Sequence, residues 1–134
     1  MPQPFTLAKA DIVGFVPISN VNAAKDFYGG TLGLKLVSEE LPFALVFDAN
    51  GIMLRLAITP EHAPSRGTAL GWRVPNIAAA VEGLSLAGIR FERYDFLPQD
   101  EAGIWTTPTK ARVAWFKDQD ENLLSVSEHP EAAR

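Results

Sequence analysis

The chain has no cysteine and only two histidines among its 134 residues. Without cysteine there can be no disulfide, no thiolate nucleophile and no cysteine-ligated zinc site. The absence fits a reducing compartment, so we expect a cytoplasmic protein. Imidazole chemistry is limited to His62, in a proline-rich connector, and His129, just past the last predicted strand.

Long apolar runs and clusters of one charge are also missing. No apolar run approaches the length of a membrane span, and the first residues, MPQPFTLAKAD, lack the basic start and apolar stretch of a secretory signal. The 12 basic and 16 acidic residues are interspersed and give a net charge of -4. No basic run could neutralise nucleic-acid phosphates. We therefore expect a soluble protein that binds neither nucleic acid nor membrane.

What the chain does contain is an internal repeat. Residues 112–129, RVAWFKDQDENLLSVSEH, read as two apolar strands around an acidic turn, and residues 44–58, ALVFDANGIMLRLAI, have the same form. GFVP at 14–17 and GWRVP at 71–75 each precede an asparagine and an alanine-rich helix. The sequence thus predicts two copies of one unit.

Each unit is predicted to be βαβββ, the first over about residues 11–58 and the second over about 68–129 of a single domain, 1–134. The first unit has predicted strands at 11–18, 34–39, 43–48 and 52–58, and a helix capped by Ser19 or Asn20. The second has strands at 68–74 and 89–96, a helix capped by Asn76, an irregular segment at 97–110 and the closing hairpin. This is an α+β fold in which helices cover one face of a mixed sheet and the other face curls around a cleft.

The paired units, the segment FYGGTLGLKLV (27–37) and the closing AWFKDQDENLLSVSEH (114–129) resemble the vicinal oxygen chelate superfamily. This superfamily includes glyoxalase I, extradiol dioxygenases and bleomycin-resistance proteins. The resemblance covers nearly the whole chain and implies the glyoxalase-like fold. One scaffold hosts many chemistries, so the resemblance leaves the function open.

The resemblance also implies a metal site with four inward-facing ligands drawn from His, Gln and Glu. In this sequence the four ligand positions of the family correspond to Val13, Arg55, Ala69 and Ser125. The third, Ala69, is located to within one residue. None of these is an ordinary metal ligand, and Arg55 would repel a cation. We therefore expect no metal and no other cofactor at these positions. The family's closing turn usually has glycine where Glu121 stands, so we expect strain there if the turn needs a positive φ.

Arg55 is the residue most expected to bind a ligand. An arginine in the middle of an apolar strand must find an acidic partner or an anionic ligand. Glu92 and Glu128 are the candidate internal partners, and the sequence leaves both possibilities open.

Strand alternation assigns further residues to the cleft. Phe15 shares the face of Val13, and Phe116 is predicted to share that of Ser125 while Trp115 packs with Leu124 beneath the helices. Trp105 lies in the irregular segment and is predicted to cap the cleft. The full set of predicted ligand-binding residues is Val13, Phe15, Phe43, Arg55, His62, Ala69, Trp105, Phe116 and Ser125. No residue is assigned a catalytic role, because Ser125 has no adjacent base or G-x-S-x-G elbow.

Two functions follow from these residues. The first is metal-independent sequestration of a small aromatic or anionic molecule, as in bleomycin-resistance proteins, by a homodimer expected from family analogy. The second is an enzyme, a lyase, isomerase or dioxygenase, which would use acid–base chemistry without metal or a divalent metal displaced to residues such as Glu40, His62 or Glu128. The two differ in whether acidic or imidazole side chains converge in the cleft.

Overall fold

The computed structural model describes residues 5–64 and 66–130. The first unit consists of β1 (Val13–Ile18), α1 (Val21–Ala24) continuing into a π-helical segment (Lys25–Thr31), β2 (Lys35–Glu40), β3 (Ala44–Ala49) and β4 (Ile52–Ile58). Its strands form sheet A in the order β1-β4-β3-β2, with β1 parallel to β4 and the other pairs antiparallel. All four predicted strands of this unit are confirmed to within two residues at each end.

The second unit repeats this topology. It consists of β5 (Leu70–Arg73), α2 (Ile77–Leu86), β6 (Trp105–Thr106), β7 (Arg112–Lys117) and β8 (Leu123–Glu128). Its strands form sheet B in the order β5-β8-β7-β6, with β5 parallel to β8. The predicted α+β fold of two βαβββ units is therefore confirmed. In the part of the chain that is described, no helix has the length and apolar character needed to cross a membrane.

Both helices begin where the sequence predicts. The side-chain oxygens of Asn20 and Asn76 accept hydrogen bonds from the backbone N–H groups of Ala23 and Ala79 at 2.9 and 3.0 Å. Each asparagine thereby satisfies an N–H that has no partner within its helix. Helix α2 ends at Leu86, and Gly88 follows two residues later with a φ of 103°, which is strained for other residues.

The predicted strand at 89–96 is wrong. Phe91 bridges Phe116 and the Glu92 N–H donates to the Trp115 carbonyl at 2.7 Å, after which the chain leaves β7. It returns only at Trp105, opposite Val113. Residues 93–104 thus form an insertion loop that splits the edge strand in two. A turn closed by the Leu97 N–H on the Tyr94 carbonyl, at 3.0 Å, redirects the backbone where the strand would have continued.

The insertion loop is held by Gln99. Its side-chain amide donates to the carbonyls of Glu92 and Gly103, both at 2.9 Å, and its side-chain oxygen accepts from the Tyr94 N–H at 2.7 Å. One glutamine therefore ties the start, middle and end of the loop together.

A single core joins the two units on the helix side. Leu54 and Phe47 of sheet A and Phe116 and Leu124 of sheet B are all buried in it. The β1 and β5 edges are adjacent here, since the Leu70 side chain lies 3.9 Å from the position of a Cβ on Gly14. Each sheet also has a side that faces away from this core. We call this opposite side the inner face.

A polar junction also connects the units. The Tyr28 hydroxyl donates to Asp118 Oδ2 at 2.7 Å, and the Asn122 side-chain amide donates to the Pro17 carbonyl at 2.8 Å. The N–H and the hydroxyl of Ser19 both donate to the Asp120 carboxylate. The acidic turn of the second unit therefore packs against the end of β1 and the π-helical segment.

Tyr28 makes stability depend on pH in the alkaline range. Burial, and next the negative charge of Asp118, raise the pKa of Tyr28 above its ordinary value of 10.0. Above pH 10 the unfolded chain therefore loses this proton while the folded chain keeps it. The contribution of Tyr28 to the free energy of unfolding should be fully present below pH 10. Above pH 10 the free energy of unfolding should fall by about 1.4 kcal/mol per pH unit. Urea unfolding between pH 9 and pH 11 measures this slope, and Tyr28→Phe should reduce it; an equal slope in the variant would contradict the assignment.

Glu121 has a positive φ of 63°, the condition under which the sequence predicts strain at this position. Glu121→Gly should raise the free energy of unfolding by about 0.5–1 kcal/mol, because the left-handed backbone is costly for a residue with a Cβ. The side chain is 71% exposed and its nearest cation, Lys117, is 3.7 Å away, so little is lost with it. Denaturant unfolding measures the change. Glu121→Gln keeps the backbone penalty and should leave stability unchanged; equal stability of the two variants would refute the explanation.

Candidate functional site

The four positions that the resemblance assigns to metal ligands all lie on the inner face. In sheet A, Val13 pairs with Met53 and Phe15 with Arg55, and alternation places these four residues on one side. In sheet B, Ser125 pairs with Gly71 on the corresponding side. The Ala69 N–H donates to the Leu123 carbonyl at 2.8 Å, which extends the ladder by one residue and gives Ala69 the orientation of Gly71.

Arg55 is ion-paired with a residue that the sequence did not indicate. Its Nη2 lies 2.5 Å from Glu40 Oε1, and its side chain remains 26% exposed. Glu40 ends β2, two strands away from β4, so only the sheet register brings the two together. The predicted partners are wrong because they are engaged elsewhere: Glu92 lies 3.8 Å from Lys117, and Glu128 accepts from the Ile77 N–H at 2.9 Å.

Apolar side chains surround Arg55 on the open face of sheet A. Phe15 is 63% exposed, and Val13 and Met53 on the same face are also exposed. The predicted cleft residue Phe43 is 74% exposed, but it precedes β3 and is out of phase with the residues that share the face of Arg55. Exposed apolar side chains that are grouped rather than scattered mark binding surfaces. The inner face of sheet A thus has exposed apolar side chains beside one guanidinium, and the register places Glu40 and Asp48 on the same side.

Aromatic rings cover the inner face of sheet B. The rings of Trp105 and Trp115 stack with centroids 6.1 Å apart, and Tyr94 packs edge-on against Trp115 at 5.7 Å. Phe96 lies 5.5 Å from Tyr94, and the Trp115 indole N–H donates to Thr68 Oγ1 at 3.1 Å. Tyr94, Phe96, Trp105 and Trp115 form what we call the aromatic cluster. Sequence reasoning placed Trp105 near the cleft but did not assign the other three to it.

The predicted faces of Trp115 and Phe116 are wrong. Trp115 pairs with Ser125 and lies on the inner face, whereas Phe116 pairs with Leu124 and is fully buried in the core. The five-residue turn, 118–122, fixes a register one residue away from the one that alternation around the turn predicted. A slip of one residue moves every side chain to the opposite face, and here it exchanges the two aromatic residues.

The comparisons with known proteins agree with this architecture. Residues 10–126 match the family model described as the Glyoxalase/Bleomycin resistance protein/Dioxygenase superfamily. The chain belongs to this superfamily. A comparison with the curated proteins found no match.

Solved structures show the same fold at low sequence identity. A glyoxalase family protein from Enterococcus faecalis is 21% identical over 92% of this chain and 100% of its own, with a TM-score of 0.72. A glyoxalase/bleomycin resistance protein/dioxygenase from Alicyclobacillus acidocaldarius is 18% identical over 93% and 95%, with a TM-score of 0.70. A lactoylglutathione lyase from Agrobacterium tumefaciens is 17% identical over 90% and 95%, with a TM-score of 0.67. These likenesses establish the fold.

The inner-face residues do not fit the divalent metal that enzymes of the superfamily hold. Val13 and Ala69 have no donor atom, Arg55 is a cation, and Ser125 is a single hydroxyl that lies where a Cβ on Gly71 would be. Over residues 5–64 and 66–130, no group of three or more acidic or histidine side chains converges on one point. No metal-dependent step can be derived from these side chains.

A cavity of about 320 Å³ adjoins the aromatic cluster. It is lined by Pro64, Tyr94 and Leu123, by two cations, Arg66 and Lys117, and by the acid Glu121. Burial, and next the charge of Glu92, raise the pKa of Tyr94, while Lys117 opposes the shift. The phenol therefore stays protonated at neutral pH and can donate a hydrogen bond.

His62 lies beside the acidic turn. Its Nε2 is buried and, among the described residues, has no hydrogen-bond partner. Burial alone would raise the pKa of Asp120, but hydrogen bonds from Ser19 and Gln119 and the nearby His62 outweigh it and lower the pKa. The connector histidine thus interacts with the junction between the units.

Proposed function

We propose that the protein binds a small aromatic anion on its inner face without a metal, in the manner of the bleomycin-resistance branch of the superfamily. The observation that carries the proposal is Arg55: a cation stands among exposed apolar side chains, at a position where superfamily enzymes have a metal-binding carboxylate. An aromatic ring with one acidic group matches this combination of charge and apolar surface.

The ion pair with Glu40 leaves room for a ligand. The guanidinium has several N–H donors, and Glu40 accepts from Nη2, while among the described residues the one polar contact of Nη1 is with the Met53 sulfur at 3.9 Å. The side chain of Glu40 is 49% exposed, so a ligand carboxylate can replace it without burying an unpaired acid. Planar bidentate recognition of a carboxylate is characteristic of arginine.

The aromatic cluster supports the choice of a ring-bearing ligand. Trp105 and Trp115 present stacked indoles on the inner face of sheet B, as Arg55 does its guanidinium on that of sheet A, and the Tyr94 phenol is a donor at their edge. Offset stacking of aromatic rings contributes about 0.5–1.5 kcal/mol beyond the burial of area. The two sheets then supply different functions, the cation from sheet A and the ring surface from sheet B.

A homodimer is part of the same proposal. Ile12, Phe15 and Phe43 are each more than 60% exposed along sheet A and its edge, which is unusual for a monomer. A second copy packed across this face would cover the apolar side chains and enclose the ligand. Light scattering coupled to gel filtration should give twice the mass of the chain, and a monomer at micromolar concentration would contradict this part.

No observation favours the lyase, isomerase or dioxygenase alternative. The acids and the histidine considered for a displaced metal site have other contacts: Glu40 pairs with Arg55, Glu128 caps α2 and His62 adjoins Asp120.

Substitutions of Arg55 and of Glu40 should change the affinity for an aromatic carboxylate in opposite directions. In calorimetric titrations with benzoate, 1-naphthoate and the matching neutral amides, the carboxylates should bind and the amides should not. Arg55→Ala should weaken binding at least about tenfold, because a charge-assisted hydrogen bond contributes about 1.5–3 kcal/mol. Glu40→Gln should strengthen binding, since it removes a competing carboxylate. Unchanged affinity in Arg55→Ala, or weaker binding in Glu40→Gln, would contradict the proposal.

A further inference from the structure

A cavity on the opposite side of sheet B from the inner face remains unexplained by this function. It has a volume of about 490 Å³ and lies between α2 and the insertion loop. Arg112, on β7, lines the cavity. It lies four residues before Phe116 and therefore on the same, core-facing side of the strand. The cavity is therefore separated from Arg55 and the aromatic cluster by the sheet itself.

Arg112 is a half-buried cation without an acidic partner. Over the described ranges, no carboxylate oxygen lies within 4.0 Å of its guanidinium. Glu128 lies opposite it in the ladder, but that carboxylate is engaged by the Ile77 N–H. A partly desolvated guanidinium with no counter-charge favours an anion from solution.

Two more arginines line the same cavity. Arg93 donates from both terminal nitrogens to the carbonyls of Asp100 and Glu101, which fastens the insertion loop but leaves the positive charge unneutralised. Arg90 is exposed and, like Arg112, has no ion pair within the described residues. Three guanidiniums therefore surround one space.

Acidic side chains also line the cavity and set a limit on what binds. Asp100 Oδ1 is occupied by the N–H groups of Ala102 and Ile104, both at 2.9 Å, which shape the end of the insertion loop. Glu82 and Glu101 are exposed and form no ion pair with the three arginines. Their charge should repel an anion, so removing either should make binding tighter.

We infer that this cavity is a second ligand site, which binds a small organic phosphate or carboxylate through Arg112 and Arg90. The buried side chains of Val81, Ile89 and Ile104 provide an apolar wall for the rest of the ligand. The insertion loop is what builds the site, because an uninterrupted edge strand would leave this side of the sheet open. Long ordered loops in compact domains commonly carry function.

The inference is tested by amide NMR titration of the full chain with inorganic phosphate, phenyl phosphate and benzoate. Phenyl phosphate or benzoate should change the amide chemical shifts of Ala102, Ile104 and Arg112. Whichever of the two binds more tightly shows whether the site prefers a phosphate or a carboxylate. Inorganic phosphate should bind more weakly than phenyl phosphate because it has no apolar part. Shifts confined to the inner face, or no saturable shift, would overturn the inference.

Matched variants separate this site from the inner face. Arg112→Gln and the exposed Arg90→Gln should each weaken binding at least about tenfold, whereas Arg73→Gln, an exposed arginine elsewhere, should not. Glu82→Gln or Glu101→Gln should tighten it two- to fivefold, on the order expected for one exposed charge. Arg55→Ala should leave the affinity of this second site unchanged. The second site would therefore be supported even if the inner face bound no aromatic anion. Equal affinities in wild type, Arg112→Gln and Arg90→Gln would refute it.

Discussion

Replacing Asp118 by alanine is expected to lower the free energy of unfolding by about 3–5 kcal/mol. The side chain is 6% exposed, and its carboxylate accepts four hydrogen bonds. The donors are the Tyr28 hydroxyl, the Asn122 amide and the backbone N–H groups of Asp120 and Asn122. Alanine would leave most of these donors without a partner in a buried position, and it would remove the Tyr28 hydrogen bond that joins the two units.

Denaturant unfolding of the variant measures this loss. Asp118→Asn keeps one acceptor oxygen and should cost roughly half as much. Asp95→Ala, at an exposed position, should change stability by less than about 0.5 kcal/mol. If Asp118→Ala were no more destabilising than Asp95→Ala, the junction would not hold the units together as described.

Phe116→Ala is expected to cost about 3–5 kcal/mol, the range for deleting a buried aromatic ring. Phe116 is fully buried, and its ring lies 5.5 Å from Phe91, 6.4 Å from Phe27 and 6.5 Å from Trp72. These neighbours come from both units, so a cavity at this point would loosen the shared core. The fold would lose packing that no surface residue can replace.

The adjacent residue provides the control for Phe116→Ala. Trp115→Ala removes a larger side chain, but one that is half-buried on the inner face, and it should cost less stability while weakening ligand binding. Phe96→Ala, at 79% exposure, should change stability by less than about 0.5 kcal/mol. A larger loss of stability in Trp115→Ala than in Phe116→Ala would restore the face assignment that alternation predicted.

The local features of the fold are readable in the sequence. The repeat, the asparagine caps at Asn20 and Asn76 and the positive φ at Glu121 each depend on a few neighbouring residues. Such signals survive because the side chain and the backbone it acts on are close in the chain. They were sufficient to predict two βαβββ units.

The features that the sequence did not predict depend on strand register and on hydrogen bonds across loops, not on residue type alone. The partner of Arg55 is set by the register of three strands, and the split of the edge strand by hydrogen bonds that Gln99 makes across the insertion loop. The exchange of Trp115 and Phe116 follows from the length of one turn. The aromatic cluster was missed for this reason, since its members come together only once the true register is known.

The metal content of the purified protein tests the account most directly. The protein would be incubated with manganese, iron, nickel and zinc in turn, desalted and analysed by mass spectrometry. With Val13, Arg55, Ala69 and Ser125 at the inner face, far less than one equivalent of any metal should remain bound. Retention of near one equivalent, lost in a variant of Glu40, His62 or Glu128, would contradict metal-independent binding and place the lyase and dioxygenase chemistries first.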